Sequence, residues 1–154
     1  MARRIVTGYV KMWPRELFNI HKGNKLLLNE PELSHELKIL WEPGVYILYR
    51  DEHPYYVGQA SGRLFSRLHD HANKSTDAYF NFWNSFSALS VLPTHLDEVE
   101  AILIAAMPTA NSKKPKFKPV PLPKKLVRVL AESRRIDAET PSRTPKKVVR
   151  AGRF

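Results

Sequence analysis

Two short β-prone runs stand on either side of a turn: Val45-Tyr-Ile-Leu-Tyr49 and Tyr55-Tyr-Val-Gly58, with Asp51-Glu-His-Pro54 between them. β-branched and aromatic side chains suit a pleated, half-buried surface, and a connection this short most simply closes an antiparallel hairpin. Pro43-Gly44 opens the region with a turn signal. Beyond the hairpin, residues 62–72 repeat apolar side chains at Leu64, Phe65 and Leu68, and Arg63, Arg67 and His71 fall four apart on another stripe. Both spacings are helical. Residues 80–92 turn β-prone from Phe86 onward and predict a third strand. Thr94, with Asp97 three residues later, resembles a capping box for a second helix that carries Leu96, Val99, Glu100, Leu103 and Ile104 and ends at Pro108. Strand, strand, helix, strand, helix predicts an α+β domain, a small three-stranded antiparallel sheet flanked by helices.

The flanks differ from this centre. Residues 1–42 mix basic and apolar side chains with weak periodicity and read as an N-terminal extension, with one short helix expected over Pro31–Leu40. The chain's net charge of +10 is unevenly placed: Met1–Asn111 carries 11 Lys/Arg against 12 Asp/Glu, whereas Ser112–Phe154 carries 14 against 3. That second stretch also holds Pro115, Pro119, Pro121, Pro123, Pro141 and Pro145. Residues 113–154 therefore read as a basic, proline-interrupted arm, with a further helix expected over Lys124–Arg135. Lys113, Lys114, Lys116 and Lys118, together with Arg63, are the candidate contacts to the phosphates of a nucleic acid. The alternative is a solvated tail. Cysteine is absent, which excludes a disulfide framework and Cys-based zinc sites. With no apolar stretch at the start and none long enough to cross a bilayer, a cytoplasmic, membrane-free protein is expected.

Alternation along the strands puts Tyr46 and Leu48 on one face and Val45, Ile47 and Tyr49 on the other, and Tyr56 shares a face with Gly58. If the hairpin joins those faces, Tyr46 and Tyr56 present two phenols to one spot; packing alone would also explain them. Gly58, followed by Gln-Ala-Ser-Gly62, would let a backbone approach closely. Arg67 offers a permanently charged fork that fits phosphate bidentately, and His71, one turn on, could move a proton. Glu100 lies on or beside the apolar stripe of its helix, next to Leu96, Leu103 and Ile104. A carboxylate there needs a compensating cation, which a buried ion pair or a divalent metal would supply equally well. No phosphate-binding glycine loop, dinucleotide fingerprint, His-Glu-x-x-His or Cys/His cluster competes.

Taken together, Gly44-Val45-Tyr46 followed by Tyr56-Val57-Gly58 resembles the signature of the GIY-YIG nucleases, with valine in place of isoleucine in both halves. An arginine on the first helix, Glu100-Ala-Ile-Leu-Ile104 on the second and Pro108-Thr-Ala-Asn111 after it follow in the same order. The resemblance covers roughly residues 43–112, taken as the nuclease core. It implies an endonuclease that hydrolyses DNA phosphodiester bonds, with RNA left open as a substrate. Glu100 would hold one divalent cation, Mg2+ or Mn2+; Arg67 would offset charge at the scissile phosphate. Tyr46 would position or deprotonate the attacking water, Tyr56 would hydrogen-bond the phosphate, His71 would assist proton removal, and Asn111 would brace the site. The Ser61-Gly62 segment leaves Arg63 as an alternative to Arg67, and Glu98, two residues off the helix position, is expected to be exposed. Cutting both strands would call for a homodimer or two successive events. A non-catalytic nucleic-acid-binding module that retains the fold is the competing reading.

Overall fold

The structure, a computed structural model, describes residues 3–29, 37–115 and 117–139. It falls into two units, residues 1–117 and 118–154. In the first unit the strands are β1 (Val6–Pro14), β2 (His21–Lys22), β3 (Lys25–Leu26), β4 (Gly44–Arg50), β5 (His53–Ala60) and β6 (Ser85–Val91), and the helices are α1 (Leu64–Asn73) and α2 (Leu96–Ala106). β1, β6, β4 and β5 form one antiparallel sheet in that order, and β2 and β3 form a separate ribbon. The expected β4–β5 hairpin closes through Asp51 and Glu52, both at positive φ (48° and 69°), the conformation a two-residue type I′ turn requires. Asn84 holds the turn by donating from Nδ2 to Asp51 Oδ1 at 2.9 Å.

The three expected strands are present, but the sheet has a fourth. β1, read from sequence as part of a weakly periodic extension, pairs along β6 from Val6↔Val91 to Pro14↔Ser85. Its register shifts twice, it buries only Val10, and Tyr9 is exposed. An edge strand broken by bulges does not keep the regular alternation by which a strand is recognised. The short helix expected over 31–40 falls mostly outside the described residues; Lys38–Trp41 is a 3-10 turn.

Each face of the sheet is covered by one helix. α1 lays Leu64, Leu68 and Ala72 on the face of Tyr46, Leu48, Ala60 and Phe86, where Phe18, Leu40 and Trp83 complete the cluster. α2 covers Val45, Ile47, Val57 and Val91 with Leu96, Val99, Leu103 and Ile104. Full burial of such side chains stabilises by about 1.5–3 kcal/mol each before entropy is counted. The capping box is not formed: Pro93–His95 is a 3-10 turn, His95 precedes α2, and Thr94 Oγ1 bonds His95 Nδ1 instead. In the second unit α3 (Lys124–Glu139) extends the helix expected over 124–135 and is laced by ion pairs from Arg135 to Glu132 and Glu139. No helix among the described residues is long and apolar enough to cross a membrane.

Candidate active site

β5 is the edge of the four-stranded sheet, and the candidate residues gather on both sides of it. On the α1 side, Tyr46 pairs with Gly58 and Leu48 with Tyr56, which brings the two phenol rings to 6.3 Å between centroids. Gly58 is required there: a Cβ would clash with Cζ and Oη of Tyr46. Tyr46 is fully buried, and its hydroxyl lies 2.7 Å from His71 Nε2. His71, also buried, places Nδ1 2.8 Å from Asp77 Oδ1. Because a carboxylate can only accept, Nδ1 carries the proton; in the neutral imidazole Nε2 then accepts and the tyrosine hydroxyl donates. The order is Tyr46 to His71 to Asp77.

Burial pushes the Tyr46 phenol well above its ordinary value, the neighbouring Tyr56 adds to this, and the Arg67 guanidinium opposes it without cancelling it. Tyr46 is therefore neutral at rest. Burial also raises Tyr56, followed by Tyr79 and by Glu100, whose charge reaches it from beyond the edge strand. Arg67 is held above its ordinary value, chiefly by Tyr46. Arg63, the alternative, is exposed immediately before α1; both arginines line an open groove of about 520 Å³ with Gln59, Ser61 and Ser66. The electrostatic link to both tyrosines belongs to Arg67.

On the α2 side Glu100 is buried. Its Oε2 accepts from Gln59 Nε2 at 2.6 Å and pairs with Lys113 Nζ at 3.4 Å. Gln59 Nε2 also donates to Asp97 at 2.8 Å, so one amide joins the two carboxylates. Of the two compensations open in the sequence, the structure displays an ion pair, with a lysine. A cavity of about 310 Å³ lined by Asp97, Glu100, Lys113, Lys114 and Phe117 lies beside it. No group of three or more His, Asp or Glu side chains suited to a metal occurs among the described residues. One carboxylate opening on a cavity that admits water does fit Mg2+, which keeps several waters and uses one or two carboxylates. Glu98 is exposed.

Asn111 reaches back to β5, accepting from the Val57 amide at 2.9 Å and donating to the Val57 carbonyl at 2.8 Å. It substitutes for a neighbouring strand at the sheet edge. Lys114 and Lys118 are exposed, and Lys116 lies outside the described residues. Three residues of this neighbourhood were not legible from sequence: Asp77, Gln59 and Tyr79, whose ring stacks on Tyr56 at 4.1 Å. Gln59 had a faint signal, since it shares the α2-side face with Val57 two residues before it. Asp77 and Tyr79 sit in an aperiodic loop and had none.

An α+β sheet that pairs a tyrosine of β4 with one of its edge strand β5, beside an arginine of α1 and a buried glutamate of α2, is the class of structure defined here. No family model and no curated protein matches the chain. It is similar to two solved structures of the GIY-YIG N-terminal endonuclease domain of UvrC from Thermotoga maritima, both tyrosine-to-phenylalanine mutants bound to a catalytic divalent cation. The first has 27% identity and a TM-score of 0.44, over 55% of this chain and 99% of that one. The second has 26% identity, with the same TM-score and coverage. A superposition of that extent decides neither activity nor substrate, which must be read from the residues themselves.

Proposed function

We propose that the chain is a metal-dependent endonuclease that hydrolyses DNA phosphodiester bonds at the edge of β5. The observation that carries this reading is the convergence of Tyr46, Tyr56, Arg67 and His71 on one side of that strand, with Glu100 within electrostatic reach of Tyr56 from the other. A phosphate in the groove beside Arg67 meets a bidentate donor that stays charged at any working pH. Tyr56, half-buried, donates its hydroxyl to a phosphate oxygen. Tyr46 takes a proton from the attacking water while its own passes to His71 Nε2, and Asp77 stabilises the resulting imidazolium through Nδ1. This order suits a phenol too buried to stand as a free phenolate. Glu100 would hold the divalent cation, which when bound supplies charge stabilisation at the phosphate and leaving oxygen. Gln59 orients the Glu100 carboxylate, and Asn111 fixes the strand that carries Tyr56 and Gln59.

Supercoiled plasmid incubated with magnesium tests the proposal. Nicked or linear product is expected from the wild type alone, and neither from Glu100→Ala nor from wild type in chelator. Cleavage by Glu100→Ala at the wild-type rate refutes it. Plasmid that is bound but never cut favours the non-catalytic binding module.

A further inference from the structure

The loop between α1 and β6, residues 74–84, brings more than Asp77 to this edge. Tyr79 stacks on Tyr56 with centroids 4.1 Å apart and meets Tyr55 edge-on at 6.3 Å. Phe82 lies nearly parallel to Tyr55, 5.7 Å away and 7° between planes. Consecutive residues of a regular strand point to opposite faces, so Tyr55 and Tyr56 should not both reach Tyr79. A bulge resolves this: Leu48 pairs with Tyr56 and Tyr49 with Pro54, which leaves Tyr55 without a partner across the ladder. Bulges bend a strand and re-aim side chains. The Ala110 amide donates to the Tyr55 carbonyl at 2.7 Å and fixes the bulge.

The loop is anchored from behind. Trp83 Nε1 donates to the His71 carbonyl at 3.3 Å, and Arg15 donates to the Ala72 carbonyl at 2.9 Å while standing 5.4 Å from the Phe80 and Trp83 rings. The outcome is an aromatic shelf running outward from Tyr56, whose end, Phe82, is 43% exposed.

Because the shelf begins at Tyr56, a polynucleotide held by a phosphate at Tyr56 and Arg67 would have its neighbouring bases beside it. A paired base is already stacked within its duplex and offers no free face, whereas an unpaired base does. We propose that Phe82, backed by Tyr55 and Tyr79, stacks an unpaired nucleobase next to the cleaved bond. The preferred substrate is then DNA with a single-stranded flank at the cut. This inference rests on the nuclease reading above. Aromatic stacking suits such a role because every base has a π-face, so the shelf selects for strandedness and not for sequence.

The test is a titration, followed by fluorescence anisotropy in chelator, of a fluorescein-labelled duplex with a single-stranded flap and of its blunt counterpart. Wild type is expected to bind the flap substrate more tightly. Phe82→Ala should lose roughly 5- to 150-fold on the flap substrate and stay within about two-fold on the blunt one, and Phe82→Trp should restore the preference. Equal affinity of wild type for both substrates, or an equal loss on both in Phe82→Ala, overturns the shelf. Unchanged flap binding in Phe82→Ala, while wild type still cuts plasmid with magnesium, overturns the shelf and leaves the nuclease standing. A wild type that neither binds nor cuts either DNA overturns both.

Discussion

Replacing Gly58 with alanine tests the geometry of the site without assuming any activity. The added methyl would clash with Cζ and Oη of Tyr46. That ring is fully buried and tied through its hydroxyl to His71, so it cannot swing into solvent. Overpacking of this kind costs about 1–3 kcal/mol. Alanine also stiffens the unfolded chain, which returns about 0.4–1 kcal/mol. The net loss is about 1–2 kcal/mol, a fall in Tm of roughly 2–8 °C for a chain of this size. Gly62→Ala is the matched control, because a Cβ there meets nothing within 4 Å. Thermal melts followed by circular dichroism compare the two. Cleavage should fall further than stability in Gly58→Ala, since displacing a reacting group by about 1 Å costs on the order of 100-fold in rate. If Gly58→Ala melts together with Gly62→Ala, the contact between the Tyr46 ring and the β5 backbone is wrong, and so is the placement of the tyrosine pair.

Two further outcomes follow from the same geometry. Burial by itself would raise the Asp77 carboxyl, but the hydrogen bonds from His71 and from the Tyr79 amide hold it below its ordinary value of 3.8. A carboxyl lowered on folding stabilises above its unfolded pKa and loses that contribution as pH falls through the folded one. Urea midpoints should therefore drop more steeply below pH 3.8 in wild type than in Asp77→Asn, and parallel curves would contradict the His71–Asp77 pairing. Lys113→Ala should tighten magnesium binding, because the ammonium competes for Glu100; its 60% exposure limits the gain to about five-fold. Calorimetric titration measures this, and weaker binding in the variant would show that Lys113 does not compete with the cation.

Much of this site was legible because it depends on local periodicity. Alternation in two adjacent strands assigned Tyr46, Tyr56 and Gly58 to one face, and a hairpin with so short a turn left little choice of register. Helical spacing put Glu100 among apolar neighbours and His71 one turn beyond Arg67. Those are properties of a few consecutive residues, and they hold wherever the element packs. The remaining features belong to contacts between distant segments. β1 joins the sheet through pairing with β6, more than seventy residues away, and its bulges erase the pattern that would have announced it. Asp77 and Tyr79 come from a loop with no period, and only the closing of that loop over β5 sets them against His71 and Tyr56. The alternation that put Tyr56 with Gly58 does not extend to Tyr55, because a bulge is settled by how the whole sheet bends. The carboxylate at Glu100 demanded a partner from its sequence alone, but that Gln59 and Lys113 reach it depended on how β5 and the chain after α2 pack against the helix. Side-chain period is written in neighbouring residues; partnership across the chain is decided by packing, and packing exists only once the fold is closed.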